Sequence, residues 1–242
     1  MLRVSNLIKR FGGITAVNDC SFDIEENSLT GLIGPNGSGK TTVFNMISGF
    51  HKPDSGDIYF KGDNLKGQKP HEVAQQGIGR TFQITRVLPK MTVLENMVVP
   101  VQSRSFWNLF KNRISEEEEE RALELLEFVG LEDLKAEFAG NLSFGQQRLL
   151  EFVSTLMADP DLILLDEIAS GVNPVMIKKM MDYIRELKEN GKTFLIVEHD
   201  MKVIMSLCDR IIVLNNGGVI AEGSPEDIQR NEKVLDAYLG AK

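Results

Sequence analysis

Cysteine is nearly missing from this chain. Cys20 and Cys208 are its only two. They lie far apart and form no C-x-x-C pair, so their spacing builds no metal site and requires no disulfide. Long apolar runs are missing as well: none approaches the roughly 18 residues that a bilayer-spanning helix needs. Met1-Leu2-Arg3-Val4-Ser5-Asn6 has neither the apolar stretch nor the small-residue cleavage site of a secretory leader. The expected setting is the cytosol. Basic residues are outnumbered, 27 against 35 acids for a net charge of −8, which argues against wrapping nucleic acid. No internal repeat or low-complexity tract is evident. The chain has 242 residues, 42% hydrophobic and 26% charged. That is enough for one sizeable core, or a core with a small subdomain.

The patterning divides the chain. Ser21-Phe22-Asp23-Ile24 alternates as a half-buried strand does, and Asp57-Ile58-Tyr59-Phe60 follows a Ser-Gly turn; these predict an antiparallel sheet at the edge of the core. Leu29 to Ile33 reads as a strand, and a helix from about Lys40 to Ser48 buries Val43, Phe44 and Ile47, with Gly49 at its C-terminus. In the middle third, Ser115 and Glu118 form a capping box. Ala122, Leu125, Leu126 and Val129 then recur on one helical face. The acids Glu116 to Glu120 fit the first turn of that helix, better than they fit an acidic interaction tail. Beyond residue 167 the order is helix, strand, helix, strand. Ile177, Met180, Met181, Ile184 and Leu187 make one face, Phe194 to Val197 a buried strand, and Val203, Ile204 and Leu207 another stripe. Asn215-Asn216-Gly217-Gly218 signals a hairpin, and Ser224-Pro225-Glu226-Asp227 starts a last helix.

Two segments carry chemistry on their own terms. Gly34-Pro35-Asn36-Gly37-Ser38-Gly39-Lys40-Thr41 fits G-x-x-x-x-G-K-[ST] between a strand and a helix, with Thr42 following. Glycines let backbone N–H groups turn inward around phosphate oxygens, and the helix N-terminus adds favourable partial charge. Lys40 offers a cation to the β- and γ-phosphates and Thr41 a hydroxyl to Mg²⁺. Leu162-Ile163-Leu164-Leu165-Asp166-Glu167 is a buried strand ending in two acids beside those phosphates. Asp166 suits Mg²⁺, through water, and Glu167 suits a general base acting on water. Together they describe a nucleoside triphosphatase.

Leu142-Ser143-Phe144-Gly145-Gln146-Gln147-Arg148 says which kind. With the two segments above it resembles the signature of the ATP-binding cassette (ABC) transporter ATPases, and the resemblance covers essentially the whole chain. It implies an α/β fold: a P-loop NTPase core on a RecA-like mixed sheet, an antiparallel β subdomain and an inserted α-helical subdomain. The whole of 1–242 is then one ATPase domain, with core and β subdomain at about 1–83 and 155–242 and the helical, signature-bearing part at 84–154. By the same resemblance Gln83 is the Q-loop glutamine, reaching Mg²⁺ and the lytic water. His199 is the switch histidine, touching the γ-phosphate and orienting Glu167 or the water, and Phe11 stacks on adenine. Ser143, Gly145 and Gln146 meet the γ-phosphate held by a second subunit; Ser143 also suits an ordinary N-cap. Two positions depart from the family pattern: Phe144 stands where glycine is commonest, and Asn173, in Ser170-Gly171-Val172-Asn173-Pro174, stands where aspartate is usual.

Arg80-Thr81-Phe82-Gln83, the Ser143-Phe144-Gly145 form of the signature, Gly171-Val172-Asn173-Pro174 and Asp236-Ala237-Tyr238-Leu239-Gly240 narrow the resemblance to ATPases of branched-chain amino acid importers. Urea and short-amide importers and lipopolysaccharide exporters use close relatives. The implied ligands are ATP and Mg²⁺. The implied partners are a second ATPase subunit, two transmembrane permease subunits and, indirectly, an extracytoplasmic binding protein, with no nucleic acid. The implied place is the cytoplasmic face of the membrane. Residues 84–102 would carry movement to a permease, Val87, Leu88, Met91 and Val93 being either its apolar contact surface or part of the helical interior. DNA-repair ATPases of similar site carry a long coiled coil between glycine loop and signature, absent here. Ribosome-acting relatives usually carry two cassettes.

Overall fold

The computed structural model describes residues 1–81, 87–101 and 114–239. Its first layer is antiparallel: β1 (Leu2–Phe11) pairs with β2 (Ile14–Ile24) on one side and β4 (Ser55–Phe60) on the other, and β5 (Asp63–Asn64) closes the edge. Strand alternation decides which side is inner. Leu2, Val4 and Leu7 of β1, Cys20, Phe22 and Ile24 of β2, and Ile58 and Phe60 of β4 all face one buried cluster; period 2 relates them except from Val4 to Leu7, where a break in the β1–β2 register returns the chain to the same face.

The second layer is a six-stranded sheet in the order β10-β9-β3-β8-β7-β6. Its members are β3 (Leu29–Ile33), β6 (Ile78–Arg80), β7 (Leu162–Asp166), β8 (Thr193–Val197), β9 (Arg210–Asn215) and β10 (Gly218–Gly223). All neighbours are parallel except the β9–β10 hairpin. Its turn places Asn216 and Gly217 at φ 48° and 82°, the pair of positive values that an Asn-Gly turn supplies. Every residue of β3, β7 and β8 is buried, which explains the continuous apolar runs of Leu162–Leu165 and Phe194–Val197. Alternate residues serve opposite faces. Leu32, Leu164, Leu195 and Ile212 join the β-layer cluster together with Val43, Phe44 and Ile47 of α1 (Lys40–Ile47). Ile33, Leu165, Ile196 and Val213 join a second cluster on the far face.

That far face is covered by helices. Ser115 caps α4 (Glu116–Val129), accepting from the Glu118 N–H at 3.2 Å while the Glu118 carboxylate accepts from the Ser115 N–H at 2.9 Å. Its buried residues are Ala122, Leu125, Leu126 and Val129, the four that the spacing selects. They pack in one continuous cluster with Leu149, Leu150, Phe152 and Val153 of α5 (Phe144–Leu156). The same cluster holds Met180 and Ile184 of α6 (Pro174–Glu189) and Val203, Ile204 and Leu207 of α7 (Met201–Leu207). The chain ends in α8 (Pro225–Gln229) and α9 (Glu232–Leu239).

Two short helices and β6 go beyond the sequence reading: α2 (Pro70–Gln75) and α3 (Val93–Val98). Each has six residues or fewer, too few for a period to show. The segment around α3 is partly buried. Val93 is fully buried in the helical cluster and Val87 packs against it, whereas Leu88 is 43% exposed. Among the described residues no helix is long and apolar enough to cross a membrane.

Candidate active site

The glycine-rich loop leaves β3 and enters α1 at Lys40. Gly39 has φ 105°, and a Cβ there would lie 2.6 Å from the Ala16 carbonyl oxygen, so the loop lies against β2 in a conformation open to glycine alone. The Lys40 ammonium donates to the carbonyls of Gly34 at 2.8 Å and Pro35 at 3.0 Å. Burial lowers its pKa, opposed by the nearby carboxylates of Glu167 and Asp166. Ser38 Oγ is buried and has no hydrogen-bond partner among the described residues; such an orphan suits an anionic ligand. Residues Asn36 to Thr42, with Ile14, Thr15, Ala16 and His199, line a cavity of about 360 Å³.

β7 delivers the acids. Asp166, its last residue, is buried. Glu167 follows at φ 52°, a left-handed conformation that costs an ordinary residue of order 1 kcal/mol and persists where surrounding structure fixes it. Its N–H donates to the Val197 carbonyl at 2.9 Å, and its Oε1 lies 2.8 Å from His199 Nε2. The sheet therefore brings Lys40, Asp166, Glu167 and His199 together from three strand ends. Burial raises the Asp166 pKa, opposed chiefly by Arg80.

Arg80, in the sequence only the first residue of the motif that holds Gln83, has a structural role of its own. It ends β6, lies 3.4 Å from Asp166 Oδ2, and donates to Asn45 Oδ1 at 2.8 Å and Ser48 Oγ at 2.6 Å. Its guanidinium also sits over the Phe44 and Phe50 rings, 5.8 and 5.4 Å from their centroids. Arg80→Met is expected to destabilise the fold by about 3 kcal/mol, the low end for breaking a buried ion pair, because Asp166 can take up a proton. Urea unfolding checks this; a change below about 1 kcal/mol would mean that the contact contributes no more than a surface pair. Glu198, directly before His199, is a second residue whose sequence context gives it no role. It is buried, and its Oε1 accepts from the Ala169 N–H at 2.6 Å. Gln83 lies outside the described residues. Thr81, two positions earlier, is tied to β7: its N–H donates to the Leu164 carbonyl at 3.0 Å and its Oγ1 accepts from the Asp166 N–H at 3.4 Å.

Phe11 is half exposed. Its ring meets His51 edge-on at 5.4 Å, with the Lys9 ammonium 5.5 Å from its centroid. Ser143, Gly145 and Gln146 sit at the start of α5 and do not line the glycine-loop cavity. The Ser143 N–H and Oγ both reach Gln146 Oε1, at 2.9 Å each, so these two side chains cap their own helix. Phe144 is exposed, below the Arg148 guanidinium, and a Cβ on Gly171 would come within 2.9 Å of its ring. Gly171 has φ 71°, so a larger residue there would be strained and the Phe144 ring would have to shift. Asn173 caps α6, accepting from the Met176 N–H at 2.9 Å, a task its amide oxygen performs as well as a carboxylate would.

The donor set suits Mg²⁺. The Thr41 hydroxyl and Asp166 carboxylate are hard oxygen ligands, and among the described residues no group of three or more His, Cys, Asp and Glu gathers into a closed cage. Mg²⁺ commonly takes one or two protein ligands and keeps waters and substrate phosphates for the rest.

A glycine loop between a buried parallel strand and a helix, facing a carboxylate pair in the same sheet, defines a phosphate-loop nucleotide-binding protein. Residues 17–170 match the family model described as ABC transporter, and residues 219–242 match one described as branched-chain amino acid ATP-binding cassette transporter. The chain belongs to the ABC transporter family as one of its ATP-hydrolysing cassettes. It is 44% identical to a probable branched-chain amino acid transport ATP-binding protein LivG of Archaeoglobus fulgidus, over all of this chain and 96% of that one. It is 41% identical to the high-affinity branched-chain amino acid transport ATP-binding protein LivG of Salmonella typhimurium, over 99% and 98%. A crystal structure of an ABC transporter cassette in its ADP conformation superposes with a TM-score of 0.89 at 38% identity, over 99% and 98% of the two chains. A dimeric bacterial ABC transporter cassette gives 0.80 at 30%, over 93% and 99%.

Proposed function

We propose that this chain is the ATPase subunit of an importer of branched-chain amino acids, working at the cytoplasmic face of the membrane as one of two cassettes that close around two ATP molecules. The observation that supports the hydrolytic reading best is the 2.8 Å contact between Glu167 and His199 at the mouth of the glycine-loop cavity. In this reading the backbone N–H groups of residues 34–42 and the Lys40 ammonium hold the phosphates, and Phe11 stacks on adenine. Thr41, Asp166 (through water) and Gln83 would hold Mg²⁺. The ion, when bound, offsets charge on the transferring phosphoryl group.

Glu167 takes a proton from the attacking water as its oxygen bonds to the γ-phosphorus. The bond from that phosphorus to the β–γ bridging oxygen breaks, and ADP and phosphate result. His199 orients the water and the Glu167 carboxylate. Ser143, Gly145 and Gln146 serve the ATP held by the partner cassette, which accounts for their distance from this chain's own cavity. The Ser143–Gln146 cap then opens, or shares its donors with the phosphate, as the dimer closes. Tighter ATP binding by the closed pair shifts the population toward closure, and hydrolysis releases it.

Permease contact is proposed at residues 84–102, within a helical subdomain at about 84–154. Exposed Leu88 and Val99 lie in this stretch. Pro100 lines a cavity of about 490 Å³ with Phe50, Val73, Ile78 and Arg80, an apolar recess suited to a short helix of a membrane subunit. The pairing cassette is proposed to be a sibling ATPase, and the substrate class follows the printed names of the relatives. Uptake of labelled leucine and labelled urea in cells carrying the natural chain or Glu167→Gln tests the whole reading. Loss of leucine uptake alone is expected. Loss of urea uptake alone would move the chain to another branch, and loss of neither would remove the transport assignment.

A further inference from the structure

We infer that Glu198 is a positioning residue for hydrolysis: its buried carboxylate straps the loop after β7 to the loop after β8 and so fixes Glu167 against His199. The inference rests on the hydrolytic reading of those two residues. Glu198 is 4% exposed. Oε1 accepts from the Ala169 N–H at 2.6 Å, and Oε2 accepts from the N–H groups of His199 at 2.9 Å and Asp200 at 3.3 Å. Among the described residues no Lys or Arg forms an ion pair with it, so three backbone donors provide its compensation. Ala169 stands two residues beyond Glu167 and His199 is the next residue in the chain, so the strap joins the segments that carry the reacting pair. With the Glu167 N–H to Val197 carbonyl bond at the base and the Glu167–His199 contact at the tip, the two loops are held at three points.

The chemistry of the strap selects a carboxylate. Both of its oxygens accept, whereas glutamine of the same shape must turn its NH₂ toward either the Ala169 donor or the His199 and Asp200 donors. Burial raises the Glu198 pKa, and the backbone N–H groups of Ala169, Asp200 and His199 oppose that rise by favouring the charged form. Ala169 also opens the segment Ser170–Asn173, where the Gly171 backbone lies under the Phe144 ring.

The test compares the full natural chain with Glu198→Gln and Glu167→Gln, measuring steady-state ATP turnover and, separately, nucleotide affinity. Glu198→Gln is expected to keep ATP affinity within about twofold while kcat falls at least about tenfold, the scale on which sub-ångström to 1 Å misplacement of a catalytic group acts. Adding it to Glu167→Gln should lower turnover no further, because residues that act as a unit are not additive. A smaller fall in kcat with Glu167→Gln inactive would overturn the inference and leave the hydrolytic reading intact. A Glu198→Gln chain that fails to fold, or loses affinity together with kcat, would give Glu198 a structural role only and overturn the inference too. A Glu167→Gln chain that turns over at the natural rate would instead overturn the reading on which the inference rests.

Discussion

Glu167→Gln is expected to cut ATP turnover by about 10²–10⁴-fold, the range that general base catalysis contributes, while nucleotide binding survives. The amide has no proton-accepting oxygen of comparable basicity, yet it fills the same volume and can keep an oxygen toward His199 Nε2, now 2.8 Å from the carboxylate. The left-handed backbone at φ 52° and the bond to the Val197 carbonyl do not depend on the side chain's charge. Binding and turnover should therefore separate: ATP holds the two cassettes closed and nothing reopens them. Gel filtration of the variant together with its pairing cassette and ATP should show a persistent dimer where the natural chain shows a transient one. Turnover within about threefold of the natural chain would exclude Glu167 as the base.

Lys40→Ala should act on the opposite quantity. Its ammonium is the one positive charge that the glycine loop places against the loop carbonyls of Gly34 and Pro35, and hydrogen bonds to charged groups each contribute about 1.5–3 kcal/mol. Losing two such bonds to phosphate oxygens predicts a fall in ATP affinity of at least about 10²-fold, since 1.4 kcal/mol is a factor of ten. The neighbouring acids enlarge the effect. Lys40 offsets the charges of Asp166 and Glu167, and without it those carboxylates repel the triphosphate directly. Equilibrium dialysis or fluorescence titration measures the change; micromolar affinity retained in the variant would remove Lys40 from the phosphate site.

What could be read from the sequence was local. The glycine loop, the cap at Ser115 and the face Ala122, Leu125, Leu126, Val129 each need only a few consecutive residues to declare themselves. The strands β7 and β8 declare themselves because both faces are buried and four apolar residues run on without a break, and β3 by its place directly before the glycine loop. Arg80 and Glu198 do not, because each acquires its meaning from a partner that the fold supplies: Asp166, far along the chain, in one case and Ala169, from a different strand end, in the other. An isolated arginine before Thr81, or an acid directly after a fully apolar strand, was the available signal. The parallel packing of β6, β7 and β8 turns it into a contact. The short elements α2, β6 and α3 carry no period; the two helices have only local caps, Glu72 accepting from the Lys69 N–H at 2.6 Å and Thr92 with Glu95 in a reciprocal box, and β6 has only its pairing with β7.

The place of β3 in its sheet has a consequence for how the chain comes into being. β3 lies between β8 and β9, and Thr30 pairs with Leu195 and Arg210. The strand that carries the phosphate loop is made early during synthesis but has no in-sheet neighbour until nearly the whole polypeptide has left the ribosome. Until then it presents two edges of unpaired backbone N–H and C=O groups beside Leu29, Leu32 and Ile33, the kind of surface that invites mispairing. The nucleotide pocket is therefore among the last parts to form, and a chain cut short before residue 193 would lack the framework on which Lys40 is hung.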